Sequence, residues 1–149
     1  MNLDEMNQLL GDLAHINTLE KRKEALYKLV RINDEEIPFL IQDTGKPYWQ
    51  EAVTVINEIG SPRNYIAIPR LIWLLQDLNW PGTQGALDIM ERIDKKVLMP
   101  YIEEALSEAS YEEDYEWVAG IKELVTRKAL TEIDFTNTNV YQILNLSAW

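Results

Sequence analysis

The stretch IPRLIWLLQDLNWPGTQGALDIMERID, residues 68–94, decides the fold. Its apolar residues recur at the i, i+3, i+4, i+7 spacing that places side chains on one face of a helix. They form two groups: Leu71, Leu74, Leu75 and Leu78, and then Ala86, Ile89, Met90 and Ile93. The run between the groups contains proline and glycine, which end and restart helices. These residues therefore predict two helices joined by a short turn, a helical hairpin.

The same pattern recurs along the chain. Pro38, Pro69 and Pro100 are separated by 31 residues each, and proline is favoured in the first turn of a helix, where its missing N–H needs no partner. Each proline therefore predicts a helix start, and residues 37–128 predict three hairpins. The apolar faces of the first and third hairpins are predicted from Ala52, Val55, Ile56 and Ile59, from Ile102, Ala105, Leu106 and Ala109, and from Trp117, Ile121, Leu124 and Val125.

Both ends of the chain differ from the repeats. Residues 1–36 predict an N-terminal capping hairpin whose second helix opens at Asn17, and residues 129–149 predict a C-terminal cap with a short helix ending near Trp149. End units of a repeat array must differ because one of their faces meets water. We therefore predict one all-α domain over residues 1–149.

A family resemblance becomes specific at this point. Units of about 31 residues that open on a proline-led helix resemble HEAT repeats. The run LQDLNWP, residues 75–81, is similar to a motif in a family of small bacterial proteins of unassigned function built on HEAT-like repeats. The resemblance covers roughly residues 37–125, and only the central hairpin carries the whole motif. It implies a right-handed α-α superhelix of about four hairpins plus a C-terminal capping helix, and it implies no activity.

The composition excludes several classes of function. The chain has no cysteine and one histidine, His15, so we predict no metal site and no cofactor. A calcium or magnesium site made of carboxylates is the alternative. The net charge of −11 repels a phosphate backbone, and we predict no nucleic-acid partner. The first residues, MNLDEMNQLL, lack the basic and apolar regions of a signal peptide, and no apolar run is long enough for a membrane span. We expect a cytoplasmic protein with no membrane partner.

Two candidate binding surfaces follow from the sequence. The first is the turn of the central hairpin, with Asp77, Asn79 and Trp80, where the turns of stacked hairpins line one edge of a repeat array. Asn79 is expected to end its helix in the left-handed conformation, and Trp80 is expected to lie against the neighbouring hairpin. A purely structural hinge is the alternative for this turn.

The second candidate is the acidic segment of residues 103–117, which interleaves carboxylates with aromatic residues. No Lys or Arg occurs between Lys96 and Lys122. Its predicted binding residues are Glu108, Tyr111, Glu112, Glu113, Asp114 and Tyr115. Tyrosine and carboxylate side chains together suit Lys and Arg of a partner, whereas a merely solvated charged face is the alternative. Trp117 is expected in the core because it shares a helix face with Ile121 and Leu124.

These surfaces predict a non-catalytic module that binds a basic protein. An immunity protein that neutralises a nuclease-like toxin domain is the most concrete version, because opposite charge speeds encounter and carboxylates imitate a phosphate backbone. One alternative is a nucleic-acid-modifying enzyme, since some DNA glycosylases of HEAT-like repeats use an acidic residue beside tryptophan, as Asp77 and Trp80 would be here. Another is a self-associating structural domain. We expect a monomer or a weak homodimer.

Overall fold

In the computed structural model, which describes residues 1–147, every regular element is a helix. The α-helices are α1 (Leu3–Asp12), α2 (Leu19–Leu29), α3 (Trp49–Ile59), α4 (Ile68–Trp73), α5 (Thr83–Glu91), α6 (Lys95–Tyr111), α7 (Tyr115–Arg127) and α8 (Thr138–Gln142). Shorter 3-10 helices cover Asp34–Leu40, Lys46–Tyr48, Arg63–Ala67, Leu74–Gln76, Glu132–Asp134 and Ile143–Leu146. The predicted all-α class is confirmed.

The chain divides into two compact units, residues 1–67 and the part that begins at Ile68. In the first unit α1 packs against α2, and the 3-10 helix Asp34–Leu40 packs against Arg63–Ala67. Arg63 joins these elements: its Nε donates to Asp34 Oδ1 at 2.6 Å, its Nη1 to the Val30 carbonyl oxygen at 2.6 Å, and its Nη2 to the Ile32 carbonyl oxygen. One guanidinium thus satisfies carbonyl groups left over at the end of α2.

In the second unit α4 packs against α5 and α6, and α6 and α5 both pack against α7. The side chains predicted to face the interior of α6 and α7 are all buried, and so are Leu71, Leu74 and Leu75 after Pro69. The helical periodicity therefore identified most of the core correctly. Two of the predicted core residues, Ile59 and Leu78, are only half-buried. Within residues 1–147, no helix has both the length and the apolar character that crossing a lipid bilayer requires.

The predicted helix starts are only partly correct. Pro69 is the second residue of α4, as expected, but Pro38 lies inside a 3-10 helix and Pro100 lies well inside α6. α6 begins earlier because Asp94 caps it, accepting from the Lys96 N–H at 2.7 Å. Pro100 is thus the sixth residue of α6, where its missing N–H removes one backbone hydrogen bond of the helix.

Other boundaries also differ from prediction. The cap of α2 is Thr18, whose hydroxyl accepts from the Lys21 N–H at 3.2 Å, whereas the side chain of Asn17 donates to the Gly11 carbonyl oxygen. Gly60, which Ser61 and Pro62 follow, predicts a helix end from the sequence, because glycine accepts a positive φ and proline cannot continue a helix. It does end α3, with φ of 76°. The short C-terminal helix is present as α8 and the 3-10 helix after it. Its predicted end near Trp149 lies outside the described residues, and the single-domain boundary of 1–149 stays a prediction.

Candidate functional site

The turn between α4 and α5 uses most of its own polar groups. Asp77 Oδ1 accepts from the Asn79 N–H at 2.8 Å, which closes an Asx turn. The prediction of a left-handed Asn79 is wrong, because the positive φ of this turn belongs to Gly82, at 87°. The buried Thr83 hydroxyl lies 3.0 Å from the carbonyl oxygens of both Leu74 and Asp77. It can donate to one of them at a time, and it ties the start of α5 to the preceding turn.

Trp80 contacts an aromatic ring of its own hairpin. Its ring centroid lies 5.5 Å from that of Trp73, with the planes tilted by 36°. The guanidinium carbon of Arg70 lies 4.2 Å from the centroid of Trp73, within the range of a cation–π contact. The sequence placed Trp80 against the neighbouring hairpin, whereas this contact is with the helix just before it in the chain.

A concave surface lies beside these rings, and we name it the α4–α6 groove. It has a volume of about 230 Å³. Its lining residues are Pro69, Arg70, Ile72, Trp73, Tyr101, Glu104, Ala105, Glu108 and Trp117. Aromatic rings and two glutamates thus face one space, and Trp73 connects this space to Trp80. Of the residues predicted to bind a partner, Glu108 lines the groove, whereas Trp80 lies outside the lining and only its ring contact with Trp73 links it to the groove.

The acidic turn, residues 111–115, joins α6 to α7 through a helix-ending motif usually built on glycine. The Glu113 N–H donates to the Ser110 carbonyl oxygen at 3.1 Å, and the Asp114 N–H donates to that of Ala109 at 2.9 Å. This pair of bonds is the Schellman motif, and it requires a left-handed residue between its two ends. Glu113 occupies that position, with φ of 55°. A glutamate here costs backbone free energy that glycine would not.

The side chains of the acidic turn divide into exposed and structural groups. Tyr111 is 90% exposed and Tyr115 is 40% exposed, and Glu112 and Glu113 are exposed as well. Asp114 has a structural role, since its Oδ1 accepts from the Trp117 N–H at 3.0 Å and caps α7. Of the six residues predicted to bind in this segment, Asp114 is therefore the one whose carboxylate the fold already uses.

The acidic side chains around the groove and the turn outnumber the basic ones. Within residues 1–147, Glu104, Glu108, Glu112 and Glu113 form no ion pair. Arg70 is the basic side chain in the lining of the groove, where it lies over Trp73. Three other basic residues of this unit bind elsewhere: Arg127 pairs with Asp88, Glu91 and Glu123, Lys95 pairs with Asp134, and Lys128 donates to the carbonyl oxygens of Glu91 and Ile93. The groove and the acidic turn therefore keep an excess of negative charge.

Trp117 forms the floor of this region. It is 4% exposed, so its predicted place in the core is confirmed. Its Nε1 donates to the Ile72 carbonyl oxygen at 3.0 Å, which fixes α7 against α4. Close approach of the same two segments explains Gly120, where a Cβ atom would lie 1.9 Å from the Leu75 carbonyl oxygen.

Sequence reasoning missed part of the groove. Arg70 and Trp73 were not predicted as site residues, nor were Tyr101 and Glu104. Their spacing contained the signal: Tyr101, Glu104 and Glu108 stand at i, i+3 and i+7 and so share one face of α6. The pairing of that face with α4 is a tertiary contact, and periodicity does not identify the partner of a face.

Comparison with known proteins yields no relative. No family model matches the chain, and neither a curated protein nor a solved structure does so. The resemblance to HEAT-like repeat proteins therefore stays a prediction.

Proposed function

We propose that this protein is a non-catalytic module that binds a basic protein through the acidic turn and the adjoining α4–α6 groove. The observation that carries this proposal is the placement of Glu112 and Glu113 at the C-terminal end of α6. The helix dipole disfavours acids at a helix C-terminus. Glu113 also adopts a left-handed conformation that suits glycine. The left-handed backbone of Glu113 costs folding free energy that glycine would not, so a function outside folding accounts for this glutamate better than stability does.

The groove adds the second element of a binding surface. Trp73 and Tyr101 provide aromatic area beside the carboxylates of Glu104 and Glu108. Rings of this kind bury area at low entropic cost, and carboxylates beside them attract lysine and arginine. Within the chain, Arg70 already lies over the ring of Trp73, so we propose that the ring of Tyr101 meets the partner's lysine or arginine. Exposed Tyr111 and Tyr115 extend the same chemistry to the turn.

The proposal also includes the arrangement of the helices and the biological role of the protein. α4 with α5, followed by α6 with α7, are two successive hairpins, as a HEAT-like right-handed α-α superhelix requires. We propose that arrangement for the chain, and an experimentally determined structure tests it. An immunity protein against a nuclease-like toxin, acting in the cytoplasm, is the version that the net charge of −11 favours.

The test uses a double variant, Glu112→Lys with Glu113→Lys. Partners are captured from extract of the source cells on the immobilised protein at low salt and eluted with salt, and association of the purified partner is followed by stopped flow. We expect association to slow steeply with ionic strength. We expect the double variant to lose binding without any fall in its melting temperature, because lysine suits a helix C-terminus. Asp114 is left unchanged because it caps α7.

The control makes the same change of charge elsewhere. Glu20 and Glu58 are exposed residues of the unit formed by residues 1–67. The variant Glu20→Lys with Glu58→Lys should keep most of the binding. Association that is independent of salt, or an equal loss in both double variants, would refute the proposal.

A further inference from the structure

A second concave site lies in the unit formed by residues 1–67, remote in sequence from the groove described above. It has a volume of about 300 Å³ and is lined by residues of α2 and α3 and of the turn between α1 and α2. Leu19, Arg22, Lys23 and Leu26 stand at i, i+3, i+4 and i+7, so one face of α2 forms a wall. Leu13, at the end of α1, adds a third leucine to the lining. The size is at the lower end for small-molecule sites, which are mostly apolar with a few polar groups.

The cations of this pocket lack partners. Arg22 and Lys23 form no ion pair within residues 1–147. The Nε atom of Arg22 is also buried with no hydrogen-bond acceptor. Buried donors of this kind are rare, because an unsatisfied polar group disfavours folding. This unpaired Nε atom is an observation independent of the shape of the pocket, and an acceptor on a ligand in the pocket would satisfy it.

The remaining polar groups of the pocket determine the charge of that ligand. Glu51 and His15 line the pocket, together with Gln50 and Thr54. Two basic side chains face one acidic side chain, so an anion with a single charge balances the site. A guanidinium binds a carboxylate through two parallel N–H···O bonds, and the leucines require an apolar body on the same ligand.

We propose that this pocket binds a small organic carboxylate with an apolar body, with the carboxylate on Arg22 and Lys23 and the body against Leu13, Leu19 and Leu26. The inference does not rest on the proposed function, because the residues belong to a different unit and the ligand has the opposite charge. An inorganic anion satisfies only the cations, and a neutral apolar compound satisfies only the leucines.

The experiment titrates the full chain by isothermal calorimetry with octanoate, which has both features, with acetate, which has only the carboxylate, and with octan-1-ol, which has only the chain. We expect octanoate to bind at least about tenfold more tightly than either of the others. Replacing Arg22→Gln should weaken octanoate binding by about ten- to a hundredfold, the range for a hydrogen bond to a charged group. Lys28→Gln, an equal loss of charge at an exposed position of α2 outside the pocket, should leave it unchanged.

A second variant separates loss of the ligand from loss of the fold. Thr54 is exposed and lines the pocket, so Thr54→Trp should fill it and abolish octanoate binding while Arg22 is kept. Circular dichroism melting confirms that each variant is folded. Octanoate binding that survives both substitutions would overturn the proposal, as would equal affinity for octan-1-ol or acetate, or no octanoate binding at all. The Glu112→Lys, Glu113→Lys variant should bind octanoate normally, so failure of either proposal is seen separately.

Discussion

The two turns of the second unit both reverse the chain between two helices and both contain backbone hydrogen bonds, but they differ in how many side chains they use. In the turn from α4 to α5, Asp77 binds backbone within the turn, Trp80 stacks on Trp73, and Thr83 anchors the next helix. In the turn from α6 to α7, the backbone closes the turn by its own hydrogen bonds, and only Asp114 contributes a side chain.

The two turns differ in how many of their side chains remain available to solvent or to a partner. A turn whose side chains satisfy its own backbone has few of them left for a partner. A turn closed mainly by backbone bonds does not need its side chains for folding, so they can contact a partner. Here those side chains are Tyr111, Glu112 and Glu113. For this reason we give the acidic turn the larger part of the proposed binding surface, and four predictions probe the comparison.

The largest effect should come from Gly120, which lets α7 approach the segment that leads into the α4–α5 turn. In Gly120→Ala the new Cβ would lie 1.9 Å from the Leu75 carbonyl oxygen, so backbone must move. We expect a loss of at least about 3 kcal/mol in the free energy of unfolding, measured by urea denaturation. The control is Gly11→Ala in α1, where the Cβ would lie 3.7 Å from Tyr48. There helix propensity predicts a gain of up to about 1 kcal/mol. Equal stability of Gly120→Ala and the unaltered protein would contradict the packing.

The second-largest effect should come from the buried hydroxyl of Thr83, which ties the turn between α4 and α5 to the start of α5. Thr83→Val keeps the shape of the side chain but removes the buried hydroxyl, which leaves the Leu74 and Asp77 carbonyl oxygens short of a donor. We expect a loss of about 1–3 kcal/mol. Thr126→Val, the same change at an exposed position of α7, should stay within about 0.5 kcal/mol. If both variants melt at the same temperature, the first turn does not depend on its side chains in the way we describe.

A smaller effect of opposite sign is expected in the acidic turn. Glu113→Gly relieves the left-handed backbone at φ of 55°, and we expect a gain of up to about 1 kcal/mol in the free energy of unfolding. Glu112 precedes it with φ of −83°, so Glu112→Gly should cost about 0.5–1 kcal/mol instead. Opposite signs at neighbouring residues, measured by thermal melting, would sharpen the claim that this turn gives up stability. A loss at Glu113 would break it.

The smallest effect concerns the surface ion pair of Lys95 and Asp134, which belongs to neither turn and serves as a reference for both. The hydrogen bond from Lys95 lowers the pKa of Asp134 below 3.8, and its acceptor raises the pKa of Lys95 above 10.5. The contribution of the pair is thus present at neutral pH. It is lost as pH falls through the lowered pKa of Asp134, and again as pH rises through the raised pKa of Lys95. Lys95→Gln should reduce the pH dependence of the free energy of unfolding in both the acid and the alkaline range. An unchanged pH profile of the melting temperature would contradict this.

Much of the fold was predictable from local pattern. The apolar spacing of α6 and α7 identified their buried faces, and Gly60 marked the end of α3, because burial and chain termination act on neighbouring residues. The proline rule was less reliable. Pro100 lies inside α6 because Asp94 supplies a stronger start signal earlier in the chain. A rule about one residue fails when a nearby residue competes for the same role.

The candidate site was predictable in parts. The exposed glutamates and tyrosines of the acidic turn were identified from composition alone, but the Schellman motif was not, because Glu113 stands where glycine normally signals it. Ala129, with φ of 53°, closes α7 with the same motif. It could not be predicted from the sequence either, because alanine stands where glycine normally signals the motif.

By itself the sequence determined which residues prefer a helix, which faces are apolar and where negative charge accumulates, since propensity, periodicity and net charge depend on residues close together in the chain. Only the tertiary structure decided that Trp117 reaches the Ile72 carbonyl, that Trp73 and Tyr101 share a groove, and that Arg22 stands in a pocket without an acceptor. Those arrangements depend on which apolar face meets which. Many pairings bury similar area, so side-chain shape and hydrogen bonding select among them.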